Sequence, residues 1–480
     1  MKVLFIMPSM DNGYWKTLGK KVGPRSEPLS LVYIATTLNH NGHQATILDC
    51  EAEGLSLGDV EKHLKENNFG MVGIAMLTLM YSQCVDLAKL VKKVNPDTKV
   101  VVGGPHPTTN AIQVLTDIPE VDFAVIGEAE FTFLDLVKAV ENKTNLSEIK
   151  GIAYRDNNNI PKITPEREMI EDLDIIPMPD RKLLKMNLYR PSVSYYKKLP
   201  AYIVLTSRGC PYRCTFCSKV FEKTYRYNSS DRVVAEVKDL VENFGAKEIV
   251  FRDDTFTMKK SWTEEVCNKL IAEGLNKKIR WSCMTRVNLI TPDLLRLMKQ
   301  SGCWGIHFGV ESGNQRLLDL MKKDVTVEQI RDAFKWTREA GIETRAFMML
   351  GLPSETREES LETIQFAKSL NPDWAQFTIC TPYPGTEMYK QAIESGEMKT
   401  GNWDNFQTWG GFSDHKLVFV PHSRTSEELK NMQKYALRSF YFRPKIILRK
   451  MTKLDNLPIL KKYITGAFAL MAGVTERKAE

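Results

Sequence analysis

Twice along its length this sequence alternates short, unbroken apolar runs with amphipathic stretches of helical period, and a segment rich in Asn, Asp and Pro separates the two series. An apolar run without polar alternation is a strand buried on both faces, so each series demands a parallel sheet covered by helices. In the first series strands are expected at 3–6, 45–48, 71–75, 99–102 and 123–126, with helices at 29–41, near 59–67, at 83–94 and at 132–141. This is a doubly wound α/β domain over residues 1–142. In the second series strands at 203–206, 248–251, 280–283, 305–308, 343–349 and 374–378 alternate with helices at 231–244, 261–273, 292–301, 327–340 and 358–369. Six such strands predict a partial (β/α)6 barrel over 199–400. Residues 143–198 read as a linker, with turn-rich Asp156-Asn157-Asn158-Asn159 and Ile176-Pro177-Met178-Pro179-Asp180 and one strand of a small hairpin at 151–155. A helical extension, 401–480, ends the chain.

Composition agrees with two large domains and a tail: 480 residues, 43% hydrophobic and 26% charged, are the balance of a chain with a sizeable core. The net charge of +7, from 66 basic against 59 acidic residues, is spread thinly and implies no nucleic-acid partner. It gathers only near the end, where Arg443, Lys445, Arg449, Lys450, Lys453, Lys461, Lys462, Arg477 and Lys478 face Asp455, Glu476 and Glu480. The nearly uncharged run 463–475 is shorter than the ~20 apolar residues a membrane span needs. Pro8, Asp11 and Asn12 interrupt the first apolar run before a signal peptide takes shape, so the protein is expected in the cytoplasm. Nine cysteines without an export signal argue against a disulfide framework. Cys50, Cys84, Cys267, Cys283, Cys303 and Cys380 stand singly in apolar segments, as buried thiols do.

The other three, Cys210, Cys214 and Cys217, form C-x-x-x-C-x-x-C directly after an apolar strand. Thiolates so spaced select zinc or iron-sulfur. Structural zinc needs a fourth protein ligand, and no second Cys or His pair offers one. A [4Fe-4S] cluster held by three Cys leaves one iron open to a small molecule. With Phe216 between the last two Cys, the motif resembles the signature of the radical S-adenosylmethionine (SAM) superfamily. The resemblance implies that the three Cys bind three irons, that the fourth takes the amino and carboxylate groups of SAM, and that Phe216 packs beside the cluster with its backbone at the adenine. Catalytic groups of such barrels lie at strand carboxyl ends. There the sequence has Asp253-Asp254, Thr285-Arg286, 309–313, 351–353 and 381–386. By the resemblance Glu311 and Ser312 bind the ribose and methionyl portion of SAM, and Asp253 and Asp254 help to hold its amino group. Arg252-Asp253-Asp254 replaces the glycine pair common at that place. Arg286 is a candidate for the SAM carboxylate, since a guanidinium pairs two oxygens at once.

In doubly wound sheets ligands also sit beyond the strand carboxyl ends. Those ends carry Pro8-Ser9, Thr78 and Tyr81, Gly103-Gly104-Pro105-His106-Pro107, and Gly127-Glu128-Ala129-Glu130. Together with Pro28 to Ala35 and Gly42-His43, they resemble the flavodoxin-like, Rossmann-like cobalamin-binding domain that precedes many radical SAM enzymes. Ser9, Thr78, Tyr81, Gly103, Gly104, His106, Gly127 and Glu128 are the cobalamin contacts this implies. The Asp-x-His-x-x-Gly signature of a lower histidine ligand is absent, which implies base-off cobalamin. His106 is then a loop or nucleotide contact.

The resemblance implies a radical SAM methyltransferase of the cobalamin class: one SAM methylates cob(I)alamin, a second gives a 5′-deoxyadenosyl radical, and the substrate carbon radical takes the methyl group. A cyclase or oxidase of the anaerobic magnesium-porphyrin type is the alternative. A cobalamin sensor would leave the Cys triad without a use, and tRNA methylthiolation would need a further Cys triad and a basic RNA domain. The implied partners are a small-molecule, lipid or peptide substrate and an electron donor such as ferredoxin or flavodoxin. Trp403, Phe406, Trp409 and Phe412 either line a pocket or cover the open barrel edge. The segment 441–450 is either a solvated helix packed on the barrel or a basic amphipathic helix in peripheral contact with anionic lipid.

Overall fold

A computed structural model of the chain describes residues 1–10, 25–218, 224–399, 401–412 and 415–452. The run 463–475, the basic residues from Lys453 onward, and Asp11 and Asn12 lie outside the described residues. The first sheet contains β1 (Lys2–Met7), β2 (Gln44–Asp49), β3 (Met71–Ala75), β4 (Lys99–Gly103) and β5 (Phe123–Val125), parallel in the order β2-β1-β3-β4-β5. Antiparallel β6 (Ile152–Arg155) and β7 (Pro161–Ile163) extend it to seven strands. The hairpin read as a joint between domains is thus the edge of the first sheet, which runs past residue 142. A helix at Pro105–Asp117 stands where the sequence reads as a loop. Pro105 suits a first helical position, and Asn110 breaks the helical backbone at φ −134°, so no clean period shows.

The helix Leu29–His40 is buried almost throughout. Such a helix has no solvent face, because it is clasped on two sides: Leu31 and Ala35 pack on the first sheet, while Leu29 and Tyr33 meet Ile203 and Val250 of the second domain.

The second domain is built from β8 (Ala201–Val204), a two-stranded ribbon of β9 (Ser207–Arg208) and β10 (Arg226–Tyr227), then β11 (Glu248–Phe251), β12 (Arg280–Thr285), β13 (Cys303–Glu311), β14 (Glu343–Leu350) and β15 (Trp374–Ile379). The six strands β8-β11-β12-β13-β14-β15 are parallel and ordered as in the chain. Among the described residues β8 and β15 do not pair, so the barrel is open. Open edges invite unwanted pairing, and here both are capped. On β8, Ile203 N donates to Glu27 Oε1 at 3.1 Å, while its carbonyl accepts from Arg181, itself paired with Glu236 at 2.7 Å. On β15, the helix Ser426–Tyr441 supplies Tyr441 OH to Ala375 and Gln433 Nε2 to the carbonyl of Phe377. Edge covering therefore belongs mainly to that helix. Arg443 and Arg449 turn back to carbonyls at Lys368, Asn371 and Pro372, at the end of the helix Arg357–Leu370, where cations offset the helix dipole. No helix among the described residues is long and apolar enough to cross a membrane.

Candidate active site between the two sheets

The cysteine loop leaves β9 through Gly209 (φ +82°) and is pinned at its centre, where Thr215 N donates to the Met321 carbonyl and the Thr215 carbonyl accepts from Met388 N. Cys214 is buried, Cys210 half-buried and Cys217 exposed at the rim. Although Cys217 is open at the rim, the protein around the loop desolvates its thiolate, and this, then the charges of Asp254, Cys214 and Cys210, pushes the thiol up to about 12. Crowded thiols of this kind give up their protons to a metal. Among the described residues no three His, Cys, Asp or Glu side chains gather on one point fit for a single ion. A cubane asks for a different arrangement, one thiolate for each of three irons.

Arg286 reaches this loop from the end of β12. Its Nη1 lies 3.5 Å from Cys214 Sγ, its guanidinium stacks 3.5 Å over the Tyr212 ring, and it also donates to Asn288 Oδ1 and the Lys323 carbonyl. This guanidinium is held against the cluster loop on several sides. Glu311 ends β13 in the left-handed region (φ +66°), beside a shift in the β13–β14 register. That turn brings Oε1 to within 2.9 Å of Lys323 Nζ, which lies 5.5 Å from the centre of the Phe216 ring. Phe216, Glu311 and Lys323 thus meet. Lys323 was not singled out from the sequence. Ser312 does not join them: it is fully buried, bonded to Thr363 Oγ1 at 3.0 Å and accepting from Asn314 N.

Asp253 is buried beneath the loop. Its Oδ1 accepts from Thr206 N, Thr206 Oγ1 and Ser207 Oγ, while its Oδ2 is buried without a partner. Burial outweighs these bonds and lifts its carboxyl to about 6. Asp254, exposed at the rim and acting on Cys217, is also raised, chiefly by desolvation from the protein around it.

The first domain's rim faces this loop. Glu128 accepts from Arg208, Arg226 and Ile170 N, and Glu130 pairs with Arg208 at 2.6 Å. Glu128, read from sequence as a cofactor contact, is therefore tied up in joining the domains. Thr109 packs under Gly385, Ser82 bonds Asp404, and the His106 ring meets Trp403 at 4.9 Å and Tyr81 at 5.3 Å, both edge-on. His106 is fully buried, bonded through Nδ1 to Thr78 Oγ1, and its Nε2 has no partner. Thr78, Tyr81 and His106 come together, with Trp403 added from the far end of the chain. Ser9 stands apart, bonded to Glu51.

Residues 204–367 match the Radical SAM superfamily, and residues 15–137 match the B12 binding domain. An uncharacterized methyltransferase of Pyrococcus horikoshii, PH0819, is 35% identical over 97% of this chain and 98% of its own. This chain belongs to the cobalamin-binding radical SAM enzymes. An anaerobic magnesium-protoporphyrin IX monomethyl ester cyclase of Rubrivivax gelatinosus is 29% identical over 100% of this chain and 84% of its own. Among solved structures, the radical SAM methyltransferase TsrM of Kitasatospora setae, with cobalamin and a [4Fe-4S] cluster bound, shares the fold at a TM-score of 0.70 and 16% identity, over 93% of this chain and 90% of that one.

The cofactors of this radical SAM enzyme are a [4Fe-4S] cluster, SAM and cobalamin. The residues fit them. Three thiols with a guanidinium N–H at one sulfur suit an anionic cluster, and the unpartnered Asp253 Oδ2 suits a cation beside it. On the other rim Gly104 (φ +115°) lies so close that a Cβ would stand 3.0 Å from the Met76 carbonyl, whereas Gly127 (φ +73°) faces open space. Neither position accepts an ordinary side chain without strain.

Proposed function

We propose that this enzyme methylates an unactivated carbon of a small-molecule substrate, taking the methyl group from SAM through base-off cobalamin and its electrons from a reduced protein such as ferredoxin or flavodoxin. The observation that carries the reading is the clamp of Arg208 and Arg226 on Glu128 and Glu130, which sets the cysteine loop facing the strand ends of the first sheet. Bound there, the cluster and SAM supply a radical able to take hydrogen from carbon, and cobalamin supplies the methyl group. The chain's own residues position and exclude water. Cys210, Cys214 and Cys217 hold three irons. Glu311, oriented by Lys323, accepts from the SAM ribose hydroxyls, Phe216 packs beside the cluster, and Asp253 and Asp254 face the SAM ammonium. Arg286 serves the cluster first, through Cys214. Ser312 acts by holding the Glu311 turn. Gly103, Gly104, Gly127, Thr78, Tyr81 and His106 line the cobalamin side, in a unit that spans residues 1–142 with the 152–163 hairpin at its edge.

The relative named a methyltransferase, similar over nearly the full chain, supports this reading. The test supplies deuterated-methyl SAM to the reduced, cobalamin-loaded protein and follows the label into cobalamin with release of S-adenosylhomocysteine. If 5′-deoxyadenosine accumulates while cobalamin stays unlabelled, the cyclase or oxidase reading, which the Rubrivivax relative favours, replaces it. Peripheral membrane contact has narrower support: Phe442, Ile447 and Leu448 are exposed, but two neighbouring arginines face inward. Sedimentation with anionic vesicles tests it.

A further inference from the structure

The inner face of the barrel holds two guanidiniums that no carboxylate neutralises. Phe251 is in register with Cys283, Met284 with His307, His307 with Arg345, and Arg345 with Trp374, so Arg252, Met284, His307, Arg345 and Trp374 form one interior layer. Tyr195, from the linker, plugs the barrel beneath: its ring lies 4.5 Å from the Arg252 guanidinium, 3.9 Å from that of Arg345 and 4.8 Å from the His307 ring. Arg345 is 5% exposed and His307 3% exposed, and Arg345 Nε and His307 Nδ1 are both buried without a partner.

Among the described residues no carboxylate lies within ion-pair distance of Arg252 or Arg345, and the acids nearby are otherwise engaged. Glu236 pairs with Arg181, and Glu343 with Lys197. Glu248 accepts from Trp304 Nε1 and from two backbone N–H groups. Glu27 feels Arg181 and Arg252 without pairing with either, and burial lifts its carboxyl to about 7. Burial, with repulsion from Arg345 and Arg252, holds His307 well below its ordinary pKa and therefore neutral. Stacking on a tyrosine face attracts a cation but does not neutralise it. A buried charge is retained at a cost unless an opposite charge arrives.

Above this layer the barrel is open. Arg252, Met284, Phe347, Met349, Gln376 and Thr378 face inward and stay partly accessible, while their outward neighbours Phe251, Met348 and Phe377 are buried. At Gly309 the missing side chain makes way for the Glu311 carboxylate and the Lys323 ammonium, which close this wall toward the cysteine loop. Four residues of β13, about 13 Å at the usual rise, separate His307 from Glu311.

We propose that the substrate carries a carboxylate or phosphate group that seats on Arg252, with Arg345 and His307 beneath it, so that the carbon to be methylated points up toward Glu311 and the cysteine loop. A planar guanidinium fork suits either anion. The inference rests on reading this barrel as the methylation chamber.

The test measures Tm of the wild-type holoprotein and of R252Q at constant ionic strength as chloride is replaced by inorganic phosphate in one series and by propionate in the other. Expected is a saturable rise of roughly 2 °C or more in wild type with at least one anion, absent in R252Q, and the effective anion identifies the group. General salt effects are common to both proteins and cancel in the difference. R252K, which keeps the charge but loses the two-oxygen fork, should show a reduced shift and stands in if R252Q does not fold. A wild type indifferent to both anions, or an equal shift in the variant, overturns the proposal. Neither arm needs SAM, so failure of the labelled-methyl assay on the same preparation would overturn the methyltransferase reading while leaving the anion site standing.

Discussion

A methyl group on Gly309 would stand 2.6 Å from Glu311 Oε1 and 2.9 Å from Lys323 Nζ, the two ends of the ion pair proposed to orient Glu311 toward SAM. Both are tips of longer side chains, so the clash is relieved by moving them rather than the backbone. G309A is expected to cost about 1 kcal/mol or less in stability but to lower SAM cleavage by roughly tenfold, equivalent to 1.4 kcal/mol lost at the ribose. Calorimetry beside a 5′-deoxyadenosine assay separates the two, and an unchanged cleavage rate would remove Glu311 from the SAM site. Arg286 makes a second prediction. A guanidinium N–H 3.5 Å from Cys214 Sγ favours the more negative, reduced cluster. R286Q should therefore lower the cluster's reduction potential by tens of millivolts in EPR-monitored titration. If Arg286 held only the SAM carboxylate, SAM affinity would fall with the potential unmoved.

At the scale of elements, the end of β13 is fitted so closely to the helix Arg357–Leu370 that a Cβ on Gly313 would fall 2.3 Å from Cβ of Phe366. No side-chain rotation relieves that contact. G313A should destabilise the protein by roughly 1–3 kcal/mol in calorimetry, and a neutral result would mean that the helix docks less tightly than described. Most elements of this kind were legible in advance, because an apolar run such as 248–251 has one reading, and the strand is Glu248–Phe251. The helix Gln315–Leu320 was not, since six residues are too few to display a period. The cysteine triad was legible because its ligands are neighbours in the chain. Lys323 was not, because its meaning depends on a left-handed turn at Glu311 that only tertiary structure imposes. Glu128 and His106 were picked out by their place at strand ends and by the family resemblance of the segments that carry them. Their partners Arg208, Arg226 and Trp403 come from the second domain and the extension, and no local pattern announces them.

For the whole molecule, the seam between the two sheets depends on pH through the groups that join it. His106, buried against Trp403 and Tyr81, has its pKa lowered from 6.5 to about 4 by burial. A folded-state pKa below the unfolded one means that protonation favours unfolding. The neutral ring contributes its full stability above pH 6.5, and roughly 3 kcal/mol is lost as the pH falls through 4. Glu128 works in the same direction: burial pushes its carboxyl up, but Arg226, Arg208 and the Ile170 N–H together hold it below the usual range, so its contribution too is lost on acidification. Removing it outright leaves two guanidiniums with less to pair with in a dry seam, a cost of roughly 3–5 kcal/mol. Three raised carboxyls, Glu27, Glu248 and Glu355, each at about 7, act oppositely and lose their contribution as the pH rises through that value. Between pH 4.5 and 6.5 these three carboxyls outweigh the one histidine, so stability should peak in mild acid, near the ordinary carboxyl value of 4.5, and decline toward neutrality. H106F keeps an aromatic ring at the seam and cannot titrate, so its Tm should gain on that of wild type as the pH falls from 6.5 to 4. E128Q should lower Tm at pH 7 and flatten the slope further into acid. Identical acid slopes in wild type and H106F would show that His106 is already solvated when the domains meet, and that the seam is held by the Glu128 pairs alone.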